Sequence, residues 1–306
     1  VLHLSSERTW RGGEQQIAYL VSELQAMGIA NMVAVKKDSA FEEYCQKKKI
    51  SLFSLPFKNS IDIRTSLAVK KICKDHGVNI IHLHSSKSHG IGVLSAVLGN
   101  KAFLILSRRV DFVPKNTWFT RWKYNHSSIK KILCVSHKIR EIMQAYVSKA
   151  EVCTTIHDGV DLNRFSTKHN ENVLKNEFTL PAQTILIGNT SALEDHKDYF
   201  TFINTIGILI QKNVSVKAFI IGKGSLETAL KKYVIEKGLA DHVIFTGFRT
   251  DITRVLPALD IFLMTSKEEG LGTSVLDAFA AGVPVVATPA GGIPEMVRHE
   301  HNGLHA

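Results

Sequence analysis

Residues 261–287 read IFLMTSKEEGLGTSVLDAFAAGVPVVA, and this stretch decides the fold. Ile261–Met264 is an apolar run of strand length, Thr273–Ala281 has helical period, and Val283–Ala287 is a second apolar run. Strands that are apolar on both faces and alternate with helices build a parallel sheet covered on both sides. The connection between the first strand and the helix carries the chemistry. Gly270 and Gly272 let the backbone approach a ligand closely, and the helix start at Thr273 offers free N–H groups to an anion. A diphosphate is the natural tenant. Glu269 lies in the loop and Asp277 about one turn into the helix, two carboxylates placed to accept hydroxyl hydrogen bonds from a sugar and a ribose. The plain alternative is a turn at Gly270-Leu271-Gly272 and a solvated Asp277. A dinucleotide fingerprint is not present, because its third glycine position is Val275.

The same alternation extends outward through the chain. Strand-like runs occur at Val1–Leu4, Met32–Val35, Ser51–Leu55, Ile80–His84, Ala102–Leu106, Ile132–Val135 and Val152–Ile156. Between them lie helical patterns: Ile17, Leu20, Val21 and Leu24 on one face closed by Gly28, then Ile63–His76 and Lys138–Val147. Gly159–Phe178 is polar and unperiodic, and reads as a linker. A second set of strands follows at Thr184–Ile187, Val216–Ile221, Val243–Phe245, Ile261–Met264 and Val283–Ala287, with helices at Lys197–Gln211, Leu226–Lys237 and Thr273–Ala281. The pattern predicts two open α/β sheets, an N-terminal domain over 1–165 and a C-terminal one over 166–306. In such sheets ligands sit beyond the carboxyl ends of the strands. The chain starts at Val1, already in a strand, and stops abruptly at Ala306; the expectation is a fragment whose C-terminal domain is incomplete.

Composition agrees. A length of 306 residues predicts about two domains. A hydrophobic content of 44% and a charged content of 22% are ordinary for a globular chain, and no apolar run approaches the roughly 20 residues of a membrane span. Nor does the start carry a charged-then-apolar signal region. Cys45, Cys73, Cys134 and Cys153 have no ligand spacing and read as buried thiols in a reducing compartment. A net charge of +10 predicts an anionic partner. Charge alone leaves nucleic acid, acidic membrane and phosphorylated sugar open.

Several motifs lie in a recognisable order. They are Gly12-Gly13-Glu14 after the first strand, Val135-Ser136-His137, the run 159–165 (GVDLNRF), Ile221-Gly222-Lys223-Gly224, and Val243–Phe248. Glu269–Ala306 follows, with AAGVPVVA, GGIPE and NGL. Together they resemble the retaining glycosyltransferases of family 4, whose fold is GT-B: two Rossmann-like domains with parallel sheets facing across a cleft. The resemblance implies that Glu269 contacts hydroxyls of the donor sugar. Asp277 stands where the family has a second Glu for the ribose. Gly270, Leu271, Gly272 and Thr273 would offer backbone groups to the phosphates, Gly12 and Gly13 would approach the diphosphate from the other domain, and Gly247 and Phe248 lie where the base is held. Lys197 would grip the diphosphate, but Ala192 occupies the position of the family's Arg, so Arg11, Lys223 or Arg249 would have to compensate. Where many members carry a cleft His, this chain has Arg108-Arg109, and an acceptor or donor contact is expected of them. A solvated helix-start lysine is the plain alternative for Lys197, against which stands the unfavourable position of a cation at a helix N-terminus.

His82, His84, Ser85, Lys87 and His89 cluster in another strand-to-helix loop. No Cys or carboxylate completes a ligand set, so His84, Ser85 and Lys87 read as an acceptor-side loop rather than a metal site. Trp118, Phe119, Arg121, Trp122, Lys123 and Tyr124 interleave aromatics with cations, as a membrane-interface segment, a nucleic-acid stacking surface or a packed amphipathic helix would. The reading is a cytoplasmic, metal-independent enzyme at the inner face of the membrane. It would move a sugar from a nucleoside-diphosphate sugar to a glycan or lipid-linked acceptor, with retention, in lipopolysaccharide or other envelope polysaccharide synthesis. It would touch anionic lipid, and require no cofactor and no nucleic acid. The rivals are a GT-B-like nucleotide-sugar-binding protein without turnover, motivated by Ala192 and Asp277, and a nicotinamide oxidoreductase, disfavoured by the missing glycine fingerprint.

Overall fold

The computed structural model describes residues 1–165 and 173–306, and the chain divides into two compact units, Val1–Asp158 and Gly159–Ala306. The division falls ahead of the 165/166 boundary expected above, because the segment after Asp158 packs on the second unit: Phe165 is buried in that unit's core and Val160 lies against it.

The first unit runs β1 (Leu2–Ser5), α1 (Gly12–Ala26), β2 (Met32–Lys36), α2 (Ala40–Lys47), β3 (Leu52–Leu55), α3 (Ile63–Asp75), β4 (Ile80–Leu83), α4 (Ser86–Val97), β5 (Phe103–Arg108), α5 (Trp118–Tyr124), β6 (Ile129–Cys134), α6 (His137–Tyr146) and β7 (Cys153–Thr155). Its seven strands are ordered β3-β2-β1-β4-β5-β6-β7 and pair in parallel throughout. Five of its helices begin on a side chain that accepts a backbone N–H: Ser39, Asp62, Ser85, Thr117 and Ser136. Each satisfies one of the orphan donors of a helix start. On one side of the sheet Ile17, Ala18 and Val21 of α1 pack with Val33 and Val35 of β2 and Phe41 and Cys45 of α2. The helix α2 escapes the sequence reading, because it is only eight residues long and half of them are polar or charged.

The second unit contains α7 (Val173–Glu177), β8 (Ile185–Thr190), α8 (Tyr199–Gln211), β9 (Val216–Ile221), α9 (Glu227–Glu236), β10 (Val243–Gly247), α10 (Ile252–Val255), β11 (Ile261–Met264), α11 (Thr273–Ala280), β12 (Val285–Ala287) and β13 (Leu304–His305). Its strands are ordered β10-β9-β8-β11-β12-β13, again all parallel. Alternation within single strands shows why both faces are covered. Phe219, Ile221, Phe262 and Met264 join Val275 and Ala278 of α11, whereas Ala218, Ile220 and Leu263 join Phe202, Ile203 and Ile206 of α8.

Two expectations need correction here. The polar stretch after Gly159 is not a linker throughout, since α7 lies in it with Leu174 fully buried; the part of that expectation on residues 166–172 lies outside the described residues. The helix expected from Lys197 begins instead at Tyr199. Asp198, in the left-handed region at φ 45°, accepts the Thr201 N–H, and Lys197 ends a short 3-10 turn before it. All four cysteines are free and buried, and burial pushes the Cys45 thiol up to about 12. No helix among the described residues is long and apolar enough to cross a membrane.

Candidate active site

In the second unit strand order reverses between β8 and β11, which are neighbours although distant in sequence. At such a switch point the loops leaving the two strands diverge to opposite faces and leave a crevice. Lys197 follows β8 and Glu269 follows β11, and they meet there. Lys197 Nζ donates to Glu269 Oε1, which also accepts from Ser266 Oγ at 3.0 Å. Their side chains are 15% and 8% exposed, so the pair is held in a site largely shielded from water. The surrounding backbone fixes it: Lys267 N–H donates to the His196 carbonyl at 2.8 Å, Thr265 Oγ1 to the Asp198 carbonyl at 2.9 Å, and Gly292 N–H to the Glu269 carbonyl at 3.1 Å.

Gly270, Leu271 and Gly272 are buried beside this pair. Gly272 sits at φ 85° as the N-cap of α11, and no side chain caps that helix. Glycine adopts that conformation most readily. Val275 N–H donates to the Gly272 carbonyl at 2.9 Å, and the N–H groups of Thr273 and Ser274 ahead of it are left for another acceptor. Asp277 lies further along α11, 3.6 Å from Arg164 Nη1. Burial pushes its carboxyl up and the Arg164 charge draws it down. Gly247 stands at φ 70° at the end of β10, followed by an exposed Phe248. Arg249 does not compensate for Ala192: its guanidinium is locked onto Glu177 and Asp251.

The first unit gathers polar groups on one face of its sheet. Arg109 Nε donates to Asp158 at 3.3 Å and its Nη1 lies 3.3 Å from His84 Nδ1, while His84 Nε2 lies 3.1 Å from His3 Nδ1. A guanidinium only donates, so His84 accepts at Nδ1 and carries its proton on Nε2, which it donates to His3 Nδ1. His3 then holds its proton on Nε2, a buried atom without a partner. Burial holds His3 down to about 3 and His82 and His84 well below the usual range. These imidazoles are neutral at pH 7. One nitrogen from each of His3, His82 and His84 lies within 4.8 Å of the others, but as bonded both His84 nitrogens are engaged and Arg109 brings a positive charge alongside. His89 is elsewhere, its Nε2 3.2 Å from the Lys123 carbonyl.

The other expected residues separate clearly. Arg108 is buried, with its Nη1 donating to the Tyr124 hydroxyl at 3.1 Å and its guanidinium over the Phe112 ring. Those contacts pack it into the segment leading to α5, in place of the acceptor or donor contact expected of it. Ser85 caps α4 and meets Ser6 Oγ at 2.7 Å, whereas Lys87 is exposed. Gly12 and Gly13 open α1, whose first turn is fixed by Glu14: its carboxylate accepts from Ser5 Oγ at 3.2 Å and from Arg11 N–H at 3.3 Å. Roles for Glu14, Asp158, Arg164 and Ser266 were missed by sequence reading: Asp158 and Arg164 act through partners brought up by the fold, whereas Glu14 and Ser266 each had a partner three residues away, Arg11 and Glu269, as the available signal.

Two parallel-sheet units of this construction define the GT-B fold. The whole chain superposes on the crystal structure of Anabaena HepE in complex with UDP and glucose, with a TM-score of 0.84 at 21% identity, covering 100% of this chain and 84% of that one. WaaG, described as a glycosyltransferase involved in lipopolysaccharide biosynthesis, superposes with a TM-score of 0.71 at 16% identity over 96% and 83% of the two chains. Residues 10–164 match Glycosyltransferase Family 4 and residues 170–306 match Glycosyl transferases group 1, and the chain belongs to this family. Among curated relatives it is 26% identical over 260 residues to the UDP-Gal:alpha-D-GlcNAc-diphosphoundecaprenol alpha-1,3-galactosyltransferase of Escherichia coli, covering 79% of this chain and 66% of the relative. It is 31% identical over 158 residues to the lipopolysaccharide core biosynthesis mannosyltransferase LpsB of Rhizobium meliloti, covering 49% and 45%. The chain thus spans less than two thirds of the length of both.

Proposed function

We propose that this protein transfers a sugar, with retention of anomeric configuration and without a metal, from a nucleoside-diphosphate sugar to a glycan or lipid-linked acceptor of the cell envelope. The observation that carries the reading is the Lys197–Glu269 pair at the switch point, beside the uncapped N-terminus of α11. A departing diphosphate needs fixed positive charge and aligned N–H groups, and these supply both without reorganisation. Glu269 would accept hydrogen bonds from the sugar, Asp277 from the ribose, and the Gly247-Phe248 turn would lie against the base. In the transfer the bond from the anomeric carbon to the phosphate oxygen breaks, the acceptor oxygen bonds to that carbon, and the acceptor proton passes to the leaving phosphate. One relative named for galactosyl transfer to a GlcNAc-diphosphoundecaprenol and another named for mannosyl transfer in lipopolysaccharide core biosynthesis support the acceptor class. A panel of UDP-, GDP- and ADP-sugars in a thermal-shift assay, followed by product analysis of the anomeric linkage, tests the proposal. One nucleotide class should raise the unfolding temperature and support transfer. Binding without transfer would favour a binding protein that no longer turns over, and no binding of any donor would sink the reading.

The first unit supplies a surface for the acceptor's membrane. Phe112, Val113 and Trp118 are exposed, Trp118 by 79%, and the exposed cations Lys115 and Arg121 stand among them. Indole and phenyl rings with cations match the headgroup region of an anionic bilayer, such as the inner face of the cytoplasmic membrane. Lys123 drops out of this surface, being buried with its ammonium pKa drawn down by burial. Replacing Phe112 and Trp118 by Ala should reduce co-sedimentation with phosphatidylglycerol vesicles severalfold; unchanged sedimentation would leave these residues without a membrane role.

A further inference from the structure

The cations around the switch point of the second unit are nearly all neutralised. Lys197 faces Glu269, Arg249 is held by Glu177 and Asp251, and Lys267 lies 3.4 Å from Asp198. Lys223 differs: it is exposed, and among the described residues it forms no ion pair. Its place is set by main-chain bonds on both sides. Ser191 N–H donates to the Ile221 carbonyl at 3.2 Å, Leu193 N–H to the Lys223 carbonyl at 3.2 Å, and Leu226 N–H to the Leu193 carbonyl at 3.0 Å. On the other flank Gly222 N–H donates to the Gly247 carbonyl at 2.9 Å, and Lys223 Cε lies 3.4 Å from where a Cβ on Gly247 would stand. Lys223 therefore sits between the segment that carries Ala192 and the Gly247 turn, and the methyl of Ala192 provides no charge there.

We propose that Lys223 is a donor-binding residue that supplies to the nucleotide's diphosphate the positive charge absent at position 192. The inference rests on the donor reading above and specifies how the phosphates are held in this chain. The long stem of a lysine brings an ammonium to a phosphate from a neighbouring loop. Such a contact is charge-assisted and stronger than a neutral hydrogen bond.

Isothermal titration of the protein with UDP, GDP and ADP, and with the matching nucleosides, tests this. Lys223→Met keeps the stem and should weaken binding of the preferred diphosphate roughly tenfold, while nucleoside binding stays as it is. Lys223→Arg should retain affinity, and adding Ala192→Arg to Lys223→Met should restore most of it. The proposal is overturned if Lys223→Met binds the diphosphate as tightly as the parent, or if nucleoside binding falls equally, since the stem would then act on the base. A parent protein that binds none of the three nucleotides would instead overturn the donor reading itself. Matching unfolding temperatures of the unliganded variants exclude a folding defect at this exposed position.

Discussion

Glu269→Gln is expected to lower sugar transfer by roughly 100-fold or more, measured as kcat/KM with the preferred donor, while leaving the protein folded. The amide keeps the volume of the carboxylate and still offers an oxygen to Ser266 Oγ, so the loop after β11 holds its shape. The negative charge is what disappears. A carboxylate accepts sugar hydroxyls more strongly than an amide does, and more so where positive charge builds at the anomeric carbon in the transition state. The complication is Lys197, whose side chain is only 15% exposed. Breaking one half of a buried pair leaves an uncompensated charge and costs about 3–5 kcal/mol. The stability loss therefore has to be read separately from the catalytic one. In the Lys197→Met, Glu269→Gln double variant the stranded ammonium is gone, and stability should recover relative to Glu269→Gln while transfer does not. A Glu269→Gln enzyme that transfers at near the parental rate would remove this carboxylate from the chemistry.

Most of the architecture was legible because both sheets are parallel and covered on two sides, which makes their strands continuous apolar runs. Ile261–Met264 and Val216–Ile221 were read to the residue. What escaped was short or polar: β13 is two residues long, and α2 is eight residues that bury only Phe41 and Cys45 as apolar side chains, with Tyr44 partly covered beside them. The site was legible as residue types and loops, not as contacts. Lys197 and Glu269 are 72 positions apart, and only the strand order that makes β8 and β11 neighbours brings them together. The Arg108-Arg109 ambiguity had its answer in strand alternation. Leu104, Leu106 and Arg108 share the buried face of β5, so of the two arginines it was Arg109 that had to turn toward His84 and Asp158. Arg249 is the reverse case: its sequence position recommends it for phosphate, and Glu177, brought up by α7, takes it away.

Gly222→Ala should be among the most destabilising single changes in the second unit, because two penalties coincide there. Gly222 has φ 150°, a conformation essentially closed to residues with a Cβ. A methyl group added to it would also collide with the carbonyl oxygen of Ser191. That oxygen belongs to backbone, held through the bond from Ser191 N–H to the Ile221 carbonyl, so it has no rotamer by which to retreat. Gly224 repeats the constraint two residues on, where a Cβ would lie 2.6 Å from the Leu193 carbonyl carbon. Strain of about 1–3 kcal/mol from the backbone, with the clash added, should lower the unfolding temperature of this unit by roughly 6–12 °C in a calorimetric scan. The same substitution at Gly13, where a Cβ meets nothing within 4 Å and φ is not positive, should leave stability nearly unchanged. If Gly222→Ala unfolds at the parental temperature, the 191–193 and 222–224 segments are not packed backbone to backbone. The platform that places Lys223 beside Ala192 would then be lost with it, since a lysine can serve a phosphate from this loop only while the two glycines hold the chain close.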